Sequence, residues 1–147
     1  MNQEQQELKD LIEKSEVVDF APFGEGVSEF WINKTEKELG IKLPASYKWW
    51  SLNYAGGEVS NTEIFSIYEM KDAVGGDIVY MAKLNKKNQD ISINEKLLIL
   101  ETGLHQAYFD TSAMVNEEYQ VVEIFDENKE IYANFTQFLI SLIKSYE

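Results

Sequence analysis

Thr35-Glu36-Lys37-Glu38-Leu39-Gly40-Ile41-Lys42-Leu43-Pro44-Ala45-Ser46-Tyr47-Lys48-Trp49-Trp50 is the stretch whose reading decides the fold. Gly40 suits a helix stop, because glycine enters the left-handed conformation there without a Cβ penalty. Pro44, shortly after it, has its φ preset for a helical start and gives up no hydrogen bond in a first turn. The spacing predicts two helices joined by a tight reversal. The first is capped by Ser28, presents Trp31, Ile32 and Leu39 to the interior and stops at Gly40. The second opens at Pro44, carries Tyr47, Trp50, Leu52 and Tyr54, and ends at Gly56-Gly57. Tyr47 and Trp50 are expected to anchor this corner in the core.

Working outward, residues 3–16 read as a helix with a narrow apolar stripe of Leu8, Leu11 and Ile12, and residues 17–24 as an extended aromatic arm broken by Pro22 and Gly24. Residues 62–68 read as a strand, and residues 74–86 as a shorter helix behind Gly75-Gly76. Residues 97–100, 106–110 and 119–125 are rich in aliphatic and aromatic side chains and suit three antiparallel strands in a meander. The Asp126-x-Asn128-x-Glu130 segment reads as a hairpin turn. A final helix is marked by Phe135, Phe138, Leu139, Leu142, Ile143 and Tyr146 at helical spacing, with Asn134 and Gln137 resembling a capping box. The expected class is α+β: one domain over residues 1–147, a central antiparallel sheet flanked by N- and C-terminal helices.

Composition narrows the chemistry. The chain has no cysteine, so thiolate zinc sites, disulfides and cysteine nucleophiles are excluded. The formal charge is −13, with 26 acidic residues against 13 basic ones, and all the basic residues are lysine. Such a surface repels phosphate backbones and lacks the bidentate arginine reader of guanine and phosphate, which disfavours direct nucleic-acid binding. It favours a cationic partner, although the same charge would serve solubility alone. The polar start, Met1-Asn2-Gln3-Glu4, lacks the pattern of a secretory signal, and no apolar run is long enough for a membrane span. A cytoplasmic location without membrane attachment is the expectation.

The stretch quoted above resembles the signature of the SUKH superfamily, whose founding fungal members are cell-wall assembly regulators. In that family a Glu precedes Leu-Gly, Leu-Pro opens the next helix, an aromatic follows, and an Asn-Gly-Gly-like turn closes the unit. Glu36, Leu39, Gly40, Leu43, Pro44, Tyr47, Gly56 and Gly57 fill those places, and the chain departs at Ala55, where Asn is usual. The strand near residues 62–70, the pair of strands over 97–110 and the Ala133-Asn134-Phe135 ending extend the likeness over nearly the whole chain. The resemblance implies an α+β SUKH-like domain, no cofactor, and for many bacterial members an immunity protein (antitoxin) that binds a cognate polymorphic toxin directly. The partner so implied is the toxin's C-terminal domain; an acidic chain points to a basic, nuclease-like one. The alternative is an adaptor or regulatory binding module like the fungal members.

Catalysis finds little support in the residues. His105 is the only histidine, no Gly-x-Ser-x-Gly elbow accompanies it, and Asp126-x-Asn128-x-Glu130 breaks the EF-hand pattern at Ile131. Neither a catalytic nor a metal or cofactor site is expected. The candidate partner-binding residues are Glu69, Asp72, Asp77, Tyr80, Glu101, Tyr108, Asp110, Glu117 and Glu118, where acids and tyrosines mix in loops and at strand ends.

Overall fold

The computed structural model describes all residues, 1–147, and shows five helices and two antiparallel sheets. α1 (Gln3–Lys14) opens on a reciprocal cap, Asn2 accepting from the Gln5 N–H and the Gln5 side chain from the Asn2 N–H. It packs along α5 (Phe135–Ser145), the most apolar helix, whose Phe135, Phe138, Leu139, Leu142 and Ile143 are buried. At α5 only half of the expected box forms: Asn134 accepts from the Gln137 N–H at 2.9 Å.

The expected single sheet is two. β1 (Val18–Phe20), β2 (Gly57–Val59) and β3 (Thr62–Ile64) form one, in that order. β4 (Lys96–Glu101), β5 (His105–Asp110), β6 (Val121–Phe125) and β7 (Asn128–Tyr132) form a meander of four. Four expectations need correction. The aromatic arm and the Gly-Gly helix stop both supply strands, because Gly57 lets the chains meet: a Cβ there would stand 2.0 Å from the Asp19 carbonyl oxygen. The strand expected over 62–68 stops at Ile64, after which the Phe65 N–H crosses to the Ile99 carbonyl of β4. Only Asp126 and Glu127 are the turn of the segment read as a hairpin turn; Asn128 starts β7. Likewise α4 (Ile78–Gln89) begins later than expected, since Asp77 caps it.

The α2 (Glu29–Leu39) and α3 (Ala45–Tyr54) corner forms as expected, with Gly40 at φ 73° and Pro44 as the residue that precedes the first turn of α3. Tyr47 and Trp50 are fully buried and meet Phe135 with ring centroids 5.1 Å away in each case, while Phe109 of β5 lies 5.4 Å from Tyr47. This aromatic knot joins α3, α5 and the larger sheet into one core. Burying each ring contributes about 1.5–3 kcal/mol.

Candidate functional site

The residues of the sequence signature all have structural work. The Glu36 carboxylate accepts from the Leu43 N–H at 2.7 Å and so braces the reversal that Gly40 begins. Leu39 and Leu43 are buried, and the Tyr47 hydroxyl donates to the Phe65 carbonyl at 2.7 Å, tying α3 to the strand β3 leaves. Burial raises the Tyr47 pKa well above its usual value, so the hydroxyl stays a donor. Ala55, where Asn was expected, has φ 64°, and the Gly56 N–H donates across it to the Tyr54 carbonyl at 2.7 Å. That is a γ-turn in the strained sense. Asn tolerates positive φ better than Ala, which gives the usual choice its physical reason.

Pro44 has no N–H and a ring for a side chain, so α3 is capped from elsewhere. Glu118 reaches across to accept from the Ser46 N–H at 2.9 Å and the Ser46 hydroxyl at 2.7 Å, and Ser46 in turn accepts from the Phe135 N–H at 3.1 Å. Burial raises the Glu118 pKa, a shift that these hydrogen bonds oppose.

Residues 26–141 match the SMI1/KNR4 family (SUKH-1). The chain belongs to that family. No curated protein sequence matches it significantly. The matched region runs from the approach to α2 well into α5, so this SUKH domain holds the whole aromatic knot, while α1 and β1 lie outside the match. No helix is long and apolar enough to cross a membrane.

The nine candidate partner-binding residues of the SUKH domain do not form one face. Asp72, Asp77 and Tyr80 line a cleft of about 450 Å³ between α2, the 68–77 loop and α4. Asp77 is buried there and holds the loop, accepting from the Tyr80 N–H at 2.9 Å and the Tyr68 N–H at 3.2 Å. Glu69 accepts from the Ser28 N–H at 2.7 Å, so Ser28 is tied at the start of α2 through its backbone and makes no side-chain cap. The cleft also receives Lys34, Lys71 and Lys83, none of them in an ion pair, so its charge is mixed. Asp110 and Glu118 line a different cleft, with Glu117 exposed on the turn beside it. Tyr108 is buried, with the Lys96 ammonium 4.7 Å from its ring centre, and Glu101 is exposed at the end of β4, where it accepts from Gln106 at 2.7 Å. Asp77, Tyr108 and Glu118 thus serve the fold as placed.

Two features lay outside the candidate set. Across the small sheet Asp19 pairs with Glu58 and Glu58 with Glu63, in register, so three carboxylates stand side by side opposite the core-facing Phe20, Val59 and Ile64. None of the three takes part in an ion pair. At one end of the larger sheet, Leu104 and Phe125 are 72% and 52% exposed. The first feature rests on a strand pairing that no local pattern announces, and the second on the approach of two turns, 102–104 and 126–127, that are distant in sequence.

Proposed function

We propose that this SUKH-domain protein is a cytoplasmic, non-catalytic immunity protein that neutralises a cognate toxin by binding a basic, nuclease-like domain of it directly. The observation that carries the reading is the row Asp19, Glu58, Glu63. Like charges placed directly opposite in a sheet destabilise it by several tenths of a kcal/mol per pair, roughly 0.2–1. Here they stand without ammonium partners on a chain of net charge −13. A cationic surface brought against them would relieve that repulsion and be drawn in by the wider field, which raises association rates roughly 10–10³-fold at low ionic strength. Rapid capture suits a protein that must intercept a toxin before it acts.

The test is growth of cells expressing the C-terminal domain of the adjacent gene's product, with and without this chain, followed by co-purification. Rescue together with a stable complex is the expected result. A toxic neighbour that is neither bound nor neutralised overturns the reading and favours the adaptor role.

A further inference from the structure

Leu104, in the β4–β5 turn, and Phe125, the last residue of β6, lie at a sheet end whose two turns are locked together. The Asp126 N–H donates to the Leu104 carbonyl at 3.2 Å, and the 102–105 turn is closed by Thr102 and His105, whose backbone N–H groups donate to the His105 carbonyl at 2.7 Å and the Thr102 hydroxyl at 3.1 Å. Phe125 lies opposite His105 in the β5–β6 register and meets its ring edge-on, centroids 5.0 Å apart. His105 itself is buried and held by Glu123 at 2.6 Å, and Glu123 accepts from the Tyr132 hydroxyl at 2.9 Å. The only histidine therefore braces an exposed aromatic from behind.

A single exposed apolar side chain needs no explanation, but an adjacent pair held rigidly is a pre-organised anchor. Its surroundings select the occupant. Asp126 and Glu127 form the turn next to Phe125, and Glu130 follows on the same face of β7. All three are exposed and none is in an ion pair. Lys129, the nearest ammonium in sequence, points to the other face by strand alternation. A second copy of the chain would bring these carboxylates against their own kind.

We propose that this sheet end is the surface on which a basic protein domain docks, its apolar side chains on Leu104 and Phe125 and its lysines or arginines on the carboxylates around them. The proposal rests on the immunity reading and names its contact face. It also assigns different work to the two acidic regions: no large apolar side chain is exposed on β1–β3, so the Asp19 row supplies field, whereas the Leu104–Phe125 end supplies both field and grip.

The experiment uses the full chain and the C-terminal domain of the adjacent gene's product, with affinity and association rate measured for the wild type, a Leu104→Ser/Phe125→Ser variant and an Asp126→Lys/Glu127→Lys/Glu130→Lys variant. Circular dichroism checks that each is folded, as exposed positions allow. The apolar variant is expected to bind about a hundredfold more weakly, chiefly through faster dissociation. The charge variant should associate about tenfold more slowly and with a weaker salt dependence. Wild-type binding with both variants within about threefold of it overturns this surface while the immunity reading stands. No binding by the wild type overturns both. A wild-type dimer in sedimentation that the apolar variant abolishes overturns the choice of occupant.

Discussion

The α2–α3 corner and the β6–β7 hairpin are both tight reversals, built on opposite terms. In the corner, side chains on both helices tie the turn to the body: Glu36 to the Leu43 backbone, Tyr47 to the Phe65 carbonyl, Ser46 to Glu118 and Phe135. In the hairpin, every residue from Phe125 to Ile131 is exposed, and Asp126 and Glu127 hold φ values of 48° and 73° without being glycine. The corner spends its residues on stability. The hairpin draws its stability from the sheet behind it and leaves its side chains to solvent, where charge and apolar surface can meet a partner.

The largest expected effect separates the two at once. Trp50→Ala should lower unfolding free energy by about 3–5 kcal/mol, whereas Phe125→Ala should cost under about 1 kcal/mol. Urea denaturation with unchanged slope reads both, and a comparable loss at Phe125 would break the comparison. Within the corner, one substitution made at two positions should change sign. Tyr47→Phe leaves the buried Phe65 carbonyl without its donor and should cost about 1–3 kcal/mol. Tyr54→Phe removes a buried hydroxyl that has no partner and should be neutral or stabilising by up to about 1 kcal/mol. Equal losses at both would mean that the Tyr47 bond is not what secures the corner.

Backbone strain sharpens the contrast further. Glu127→Gly should stabilise the chain by about 0.5–1 kcal/mol, because glycine accepts the left-handed conformation at a lower cost than Glu. Ala55→Gly should behave alike at the strained γ-turn, where Ala55 departs from the family's usual residue. Thermal unfolding checks both, and a loss at either position argues against the turn geometry. The smallest effect is on pH. The native state holds the Glu118 proton more tightly than the unfolded chain does, so this group's contribution to stability is full below the unfolded pKa and is lost as pH rises through the raised native value. Stability of the wild type relative to Glu118→Gln should accordingly fall as pH rises from the ordinary carboxylate range through the raised native value. A difference that is flat across that range would place Glu118 in water.

How much could be read from the residues follows the same division. Gly40, Pro44, Tyr47 and the apolar stripe of α5 are local signals, and α2, α3 and α5 formed where they pointed. The β2–β3 hairpin was hidden because its turn, Ser60-Asn61, adopts positive φ at both positions without the Asn-Gly or Asp-Gly that normally announces it; the turn near Asp126 was legible, but the strand that follows it was not. β7 itself, Asn-Lys-Glu-Ile-Tyr, is polar along an exposed edge and carries no alternation. Among the candidate residues, exposure was assumed from type: Asp77 became a buried cap, Glu118 a cap delivered from another element, and Tyr108 a buried ring under Lys96.

The sequence by itself determined the family, the α+β class, the helical corner and the excess of negative charge, since each is a property of residue identity or of short spacing. The tertiary structure alone decided that the sheet is two sheets, that Asp19, Glu58 and Glu63 line up, and that His105 braces an exposed Phe125 beside Leu104. The physical reason is that strand pairing joins residues distant along the chain through backbone groups common to every residue. Side-chain chemistry therefore does not announce which charges and which apolar surfaces will share a face.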